Sequence, residues 1–349
     1  MKNRIARREF LAMALPFAVA LPGYRYEFPR DYFAHPDFQT EWWYYTGNLE
    51  SGNRRFGFQL TFFRQAKANE ASSTIWSPDP IWFAQNALSD LQEGKFLHGQ
   101  RLNRSGPGLA GADLRRGVVW NGNWQAGPKL LRSVDDAYSL DLTLDARKPP
   151  VIHGVKGISQ KASGVGRASH YISVTRIRAS GTLLYQGRRF PVDGLSWMDH
   201  EFFTHQLNPD QVGWDWFCIQ LENETELMLF RLRRRDGSVD PYSAGTFIDK
   251  TGRGLPLSAE DFALIPSNDW TSPQTGARYP LTWQIHVPNI GIRLTATTRL
   301  PRQEVLSRNE VFPNYWEGSV DYRGTIIGKD ISGIGYLELT GYDKPVAPL

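Results

Sequence analysis

Moved along itself by 172 positions, the sequence partly repeats: Trp42 falls on Trp214, Tyr44 on Trp216, Tyr45 on Phe217, Leu49-Glu50 on Leu221-Glu222, Phe58 on Phe230 and Leu60 on Leu232. The two halves also end alike, with "GLSWMDHE" (194–201) matching "GIGYLELT" (333–340), so that Trp197 corresponds to Tyr336 and Asp199 to Glu338. Each ending follows a Gly-Thr pair, at 181–182 and 324–325, which reads as a turn. A chain that echoes itself over this span is expected to contain one folding unit twice. The division falls near "LNPDQ" (207–211), giving an N-terminal domain over 26–208 and a C-terminal domain over 209–349.

The repeated unit is β. In "YSLDLTLDA" (138–146), Tyr138, Leu140, Leu142 and Leu144 share one face and Ser139, Asp141, Thr143 and Asp145 the other, the alternation of a half-buried strand. "RFGFQLTFF" (55–63) does the same with Phe56, Phe58, Leu60 and Phe62. Further strands are predicted at 170–178, 182–190, 213–222, 226–234, 281–287, 291–299, 315–323 and 333–342, with "NRSGPGLAG" and "IPSNDWTSPQTG" as loops. The supply of 32 Gly and 22 Pro suits many tight turns, and no long stretch has helical periodicity. Each half, at roughly 140–180 residues, is the size of a small closed barrel able to hold one ligand. The strand "TEWWYYTG" (40–47) is aromatic on both faces: Glu41, Trp43 and Tyr45 on one, Trp42, Tyr44 and Thr46 on the other. One row is expected to line the barrel and the other to pack against the neighbouring domain or a covering loop.

The formal charge of +4 is misleading as a guide to partners. Lys2, Arg4, Arg7, Arg8 and Glu9 contribute 4 − 1 = +3, leaving +1 for the rest, so no basic face for nucleic acid is implied. The basic "MKNRIARRE", the uncharged "FLAMALPFAVALPG" and the small-residue site "AVA" (18–20) read as an export signal over 1–20, cut before Leu21. Arg7-Arg8 followed by Glu9-Phe10-Leu11 fits the twin-arginine pattern, which points to a periplasmic or secreted protein. The other reading of the segment is an amphipathic N-terminal helix. Its apolar run is too short to span a bilayer, so no transmembrane span is expected in the mature chain. Cys218 is the only cysteine, so no internal disulfide can form and stability has to come from packing.

"EWWYYTGNL", "GFQLTFFR", "SHYISVTRIRASGTL", "WMDHEF", "GWDWFCIQL" and "YWEGSV…GIGYLELTGY" together resemble the carotenoid 1,2-hydratase (hydroxyneurosporene synthase)/AttH-type family, in family order and over about residues 35–343. The resemblance implies a tandem of two lipocalin-like, calycin-type antiparallel β-barrels and a role around isoprenoids or lipids. One branch of that family adds water across a terminal C=C of acyclic carotenoids; other members accompany ABC transporter components. Gln85-Asn86 stands where the resemblance leads one to expect an Ala-His pair.

Hydrating an isolated alkene requires an acid to protonate carbon, a wall that tolerates the cation and a base for water. In "SWMDHEFF", Trp197, Asp199, Glu201 and Phe203 share a face, opposite Met198, His200 and Phe202. Two carboxylates on one face raise each other's pKa. In "GWDWFCIQL", Asp215 shares its face with Phe217, Ile219 and Leu221, and an aspartate in an apolar row has to be paired or protonated. Asp199 and Asp215 are therefore either candidate general acids or structural residues bonded to arginine or backbone amides at a barrel rim or the domain junction, and His200 either a proton relay or a packing or rim residue. The ligand-lining candidates are Trp42, Trp43, Tyr45, Trp197, Trp214 and Trp216, with core and interdomain packing as their alternative role.

Sharper motifs fail. "HEFFTH" (200–205) is one residue too long for the two-histidine zinc helix and lies in strand-like sequence. "GLSWM" (194–198) lacks the closing glycine of a nucleophile elbow. "GVGRAS" (164–169) lacks the third glycine of a dinucleotide loop. No metal or cofactor is expected. The leading function is binding of an elongated apolar ligand (isoprenoid, carotenoid or lipid) with acid-catalysed hydration. The alternatives are a non-catalytic lipid carrier serving an ABC-type envelope transporter and a structural protein with filled barrels. A large apolar cavity containing a carboxylic acid favours the enzyme, a cavity without one the carrier, and a filled barrel the structural protein.

Overall fold

A computed structural model describes residues 17–66, 80–308 and 313–346. Arg7-Arg8 and most of the apolar leader lie outside the described residues. Within them the chain is all β, with two 3-10 turns and no helix long and apolar enough to cross a membrane.

Thirteen strands belong to the first half: β1 Thr40–Ser51, β2 Arg54–Gln65, β3 Ile81–Asp90, β4 Lys95–Arg104, β5 Ala110–Asp113, β6 Val118–Asn121, β7 Trp124–Ala126, β8 Leu130–Val134, β9 Tyr138–Ala146, β10 Val151–Ile152, β11 Ser159–Gln160, β12 Ala168–Tyr185 and β13 Arg188–Phe203. Ten belong to the second: β14 Gln211–Leu221, β15 Glu226–Arg234, β16 Ala244–Ile248, β17 Gly254–Ser258, β18 Ala263–Thr271, β19 Arg278–Val287, β20 Ile292–Thr297, β21 Glu304–Val305, β22 Tyr315–Ile326 and β23 Lys329–Thr340.

The halves share one topology. The first sheet runs β4-β3-β2-β1-β13-β12-β9-β8-β7-β6-β5, and the second runs β17-β16-β15-β14-β23-β22-β20-β19-β18. In both, the opening strand is flanked by its hairpin partner and by the last strand of its own half. Register repeats as well as order: Tyr44 pairs with Asp199 and Thr46 with Trp197, while Trp216 pairs with Glu338 and Cys218 with Tyr336. The last hairpin of each half turns on two residues with positive φ, Gln186-Gly187 and Ile327-Gly328, the requirement of the tight hairpin turn that matches strand twist. Together these features establish a tandem of two lipocalin-like barrels.

Two local expectations change. Gly181-Thr182 and Gly324-Thr325 are not turns; they lie inside β12 and β22, where extended pairing to β9 and β20 continues across them. "IPSNDWT", read as loop, is the greater part of β18. That strand pairs only with β19, and an edge strand tolerates the missing donor of Pro266.

Apolar side chains point into each barrel. Trp43, Tyr45, Leu60, Phe62 and Trp124 pack inside the first, and Phe217, Trp283, Leu294 and Trp316 inside the second. The expectation of a ligand in a barrel lumen, with Trp43 and Tyr45 lining it, is therefore corrected: inward aromatic side chains occupy that space. A third apolar cluster lies between the barrels, built from outward residues including Tyr44, Tyr171, Trp197, Trp216, Phe230 and Tyr336.

Polar contacts fix the two barrels against each other. A bulge in β12 between Val174 and Ile177 turns Thr175 and Arg176 toward the second barrel. There Gln220 Nε2 donates to Thr175 O at 2.8 Å, and Arg176 Nε donates to Glu226 at 2.5 Å. Lys148 Nζ donates to the other Glu226 oxygen at 2.6 Å. Near the middle of the interface the sheets approach so closely that a Cβ on Gly57 would meet Tyr336 Oη at 2.6 Å.

Candidate functional site

A cavity of about 470 Å³ lies between the barrels. Strand alternation creates it. Along β1, Trp43 and Tyr45 turn inward, so Trp42 and Tyr44 face the second barrel; along β14, Phe217 turns inward, so Trp214 and Trp216 face the first. Tyr44 and Trp216 meet edge to face, ring centroids 5.1 Å apart. Tyr171, Phe63 and Phe230 extend the aromatic wall.

Three carboxyl groups reach this apolar space: Asp199 and Glu201 from β13 and Glu338 from β23. Asp199 and Glu338 occupy matching places, each opposite the second outward aromatic residue of its barrel's opening strand. Tyr171 and Ser173 hydroxyls both donate to Asp199, as does Trp197 Nε1 at 2.6 Å. The Tyr171 oxygen in turn accepts from Trp216 Nε1 at 2.9 Å. Behind Ser173, His153 bridges to Thr246 of the second barrel through contacts of 2.6 and 2.8 Å. Burial pushes Asp199 up to about 7; its three hydrogen bonds oppose that rise and the Glu201 charge adds to it. Glu338 accepts from Trp214 Nε1 at 3.0 Å. Burial lifts it, too, to about 7, against the Trp214 bond and with help from the Asp199 and Glu201 charges.

Carboxyl groups buried against apolar walls hold protons that solvated ones give up, which suits general acid–base work near neutral pH. The Asp199–Glu338 couple loses its protons in two linked steps rather than as independent groups. Behind Tyr44, Glu317 accepts the tyrosine hydroxyl and is itself held far above the usual carboxylate range by burial and by the Glu338 charge. Gln85 lines the cavity and accepts from Tyr315 Oη at 2.7 Å.

The candidates named from sequence separate into groups. Asp199, Trp42, Trp214 and Trp216 line the cavity, and Trp197 stands behind it as a donor to Asp199. Trp43 and Tyr45 belong to the first barrel's core. Asp215 does not reach the cavity: it is fully buried inside the second barrel, bound by Arg231 Nε at 2.7 Å, Arg233 Nε at 3.3 Å and Tyr342 Oη at 2.8 Å. Pairing with two arginines and a tyrosine is how that apolar row accommodates an aspartate. His200 lies on the opposite face of β13 from Asp199. It stacks on Trp43 at 4.7 Å and contacts Glu41 Oε1 at 2.9 Å.

His35, Glu41 and His200 bring three ligand-type atoms within 4.8 Å of one another. Arg64 Nε also donates to Glu41 at 3.0 Å, and the His35 amide donates to both its oxygens. Burial alone would raise Glu41, but bonds from His200 and His35 hold it well below the ordinary carboxylate range. With a guanidinium already on the carboxylate, this group is a brace for the 31–41 segment and offers a cation little.

Sequence reasoning missed Glu338, Lys161 and Tyr171. Glu338 was legible, because the echo had already aligned it with Asp199. Lys161 and Tyr171 carry no comparable signal.

Comparison with known proteins follows the same lines. The family model described as AttH-like matches residues 19–342. A crystal structure of a Nitrosomonas europaea protein assigned to AttH superposes with a TM-score of 0.83 at 32% identity, covering 93% of this chain and all of that one. Kievitone hydratase from Nectria haematococca shares the fold with a TM-score of 0.68 at 16% identity, covering 94% of this chain and 98% of that one. The dehydratase asqC of Emericella nidulans is 21% identical over 207 residues, 58% of each protein. The chain thus spans somewhat over half the length of the curated relatives it matches. Its distant relatives are hydratases and dehydratases, and the chain belongs to the AttH-like family.

Proposed function

We propose that this protein is a hydro-lyase that adds water to, or removes it from, an apolar ligand bound between its barrels. The carrying observation is the pair of buried carboxyl groups, Asp199 and Glu338, presented from equivalent strands to one aromatic-walled cavity, each with its pKa near 7. Glu338, with one donor and two carboxylate neighbours, is the group that keeps its proton and serves as acid. Asp199, with three donors, is the group stabilised as carboxylate and serves as base. In the hydration direction Glu338 protonates one alkene carbon and the electron pair of the double bond forms the new C–H bond. The indole faces of Trp214 and Trp216 stabilise the resulting tertiary cation. Asp199 takes a proton from the attacking water as the C–O bond forms. Dehydration is the reverse. Names of distant relatives support the reaction class, and the apolar lining supports an isoprenoid-like or other lipid-like ligand.

The test is a screen of acyclic isoprenoid alkenes and their tertiary alcohols, read by Trp quenching for binding and by ¹⁸O uptake from labelled water for turnover. ¹⁸O uptake that disappears in Glu338→Gln while quenching survives supports the reading. A ligand that binds tightly and never exchanges oxygen assigns the cavity to carriage, the role an envelope transporter would require. The twin arginines motivate export to the periplasm as part of the proposal. Export that persists after replacement of Arg7-Arg8 by Lys-Lys would remove the twin-arginine route.

A further inference from the structure

Lys161 is the residue of the cavity wall that acid-catalysed hydration leaves without a task. It follows β11, and its backbone is fixed on both sides: its N–H donates to Arg167 O at 2.9 Å and its carbonyl accepts from Gln211 Nε2 at 2.8 Å. The side chain is 7% exposed and lines the inter-barrel cavity. Its amine sits 3.8 Å from the centre of the Phe230 ring and 4.9 Å from that of Tyr171. The ion-pair partner, Glu201, lies at 3.6 Å, longer than a direct hydrogen bond. Glu201 is held more closely by Ser169 and by Gln206 Nε2 at 2.9 Å. A terminal amine walled by aromatic rings, beside a carboxyl group and facing an apolar cavity, is arranged as a nucleophile more than as a surface charge.

We infer that Lys161 forms an imine with an aldehyde or ketone carbonyl on the ligand that occupies the inter-barrel cavity. The step balances within the site. Nζ attacks the carbonyl carbon, the C–N bond forms, and the π pair moves to oxygen, which takes a proton from the Glu201 carboxyl. The proton lost by nitrogen returns to Glu201. Glu201 then protonates the hydroxyl, water departs as the nitrogen lone pair closes onto carbon, and the iminium N–H proton returns to Glu201, so amine plus carbonyl yields imine plus water with no oxidant or reductant. Burial pulls Lys161 below its ordinary range, against the Glu201 and Asp199 charges, and pushes Glu201 above its own, against the Lys161 charge. The inference rests on the cavity being the ligand site and not on hydration being its reaction. It narrows the ligand class to apolar molecules that carry a carbonyl.

The test is reductive trapping. The protein is incubated with decanal and sodium borohydride, and alkylated lysines are located by peptide mass mapping, with exposed Lys129 and Lys156 as internal references. A lowered lysine pKa increases the free amine at a given pH, so modification of Lys161 faster than of either reference lysine is expected. Lys161→Arg, which keeps the charge, should abolish trapping at this site, and Glu201→Gln should slow it while leaving the amine in place. Equal labelling of Lys161 and Lys156 in the parent protein, a reading that requires no variant, overturns the inference; so does unchanged trapping kinetics in Glu201→Gln. Failed trapping with Glu338-dependent turnover intact rejects the imine alone. Intact trapping without turnover rejects the hydro-lyase reading alone.

Discussion

The two barrels present the same strand position to the cavity and equip it differently. In the first, Asp199 is gripped by Tyr171, Ser173 and Trp197; in the second, Glu338 has the Trp214 indole. A duplicated fold supplies two equivalent places for an acid, and what differs is the number of donors aimed at each. Donors to a carboxylate favour its charged form, and nearby negative charge favours the neutral form. Under the proposed reaction the first barrel would hold the base and the second the acid, a division set by side chains two residues or one strand away and not by a different backbone.

The largest expected effect breaks this comparison directly. Glu338→Gln and Asp199→Asn should each lower turnover by about 10²–10⁴, the range for loss of one general acid or base, with binding by Trp quenching retained. The parent should show a bell-shaped pH dependence. Its acidic limb reports formation of the Asp199 carboxylate and its basic limb loss of the Glu338 proton, and each variant should lack the limb belonging to its replaced group. Loss of the same limb in both variants would show that the roles are not divided between the barrels.

Asp215 tests the contrast from the other side. Here two arginines replace the protein's apolar pressure with opposite charge, and the cavity is absent. Asp215→Asn should cost about 3–5 kcal/mol of stability, because Arg231 and Arg233 lose their counter-charge in a buried setting. Chemical denaturation reads the loss, and the pH profile of any surviving activity should keep both limbs.

Linkage gives a third outcome. Asp199 and Glu338 rise from 3.8 and 4.5 to about 7 on folding. Between the unfolded and folded values, the native state holds protons that the unfolded chain has released. Their contribution to stability is therefore fully present below about pH 4 and declines as pH rises to about 7, by on the order of 3 kcal/mol per group. Asp199→Asn and Glu338→Gln should each flatten that decline in denaturation measured across this window. An unchanged slope would mean that neither group is held protonated by the fold.

The sequence made some of this visible and hid the rest for identifiable reasons. Alternation in β1 and β14 exposed two aromatic faces per strand, and the echo at 172 residues placed those strands in equivalent roles. Periodicity tells which side chains share a face, but not whether that face looks into a barrel or out of it. Trp43 and Tyr45 stood between ligand lining and packing on that account, and they belong to the first barrel's core. Asp215 stood between acid and arginine-bonded structural residue for the same reason, since its arginine partners come from β15, and cross-strand register is not written in either strand alone. Gly181 and Gly324 illustrate another limit. Glycine before threonine suggests a turn locally, yet both glycines lie within long strands whose continuity is set by their neighbours in the sheet. Lys161 comes from the loop between the two-residue β11 and β12, where no period exists to announce it.

The smallest effect expected is also the finest discriminator between the barrels. Trp214 and Trp216 are neighbours on one face of β14, and each indole N–H serves a different acid. Trp214 donates to Glu338 itself, whereas Trp216 donates to the Tyr171 oxygen, which donates to Asp199. Replacing either tryptophan by phenylalanine keeps an aromatic face and deletes the donor. Removing a donor from a carboxylate raises its pKa, and a net bond of about 1 kcal/mol corresponds to about 0.7 pH unit. Trp214→Phe should therefore move the basic limb upward by roughly that amount and leave the acidic limb in place. Trp216→Phe acts one bond further away, through a tyrosine that keeps its own contact, so it should raise the acidic limb by a smaller fraction of a unit. Steady-state pH profiles of the two variants check both directions. If Trp214→Phe moved the acidic limb instead, Glu338 would be the base and Asp199 the acid, and the roles assigned to the two barrels would have to be exchanged.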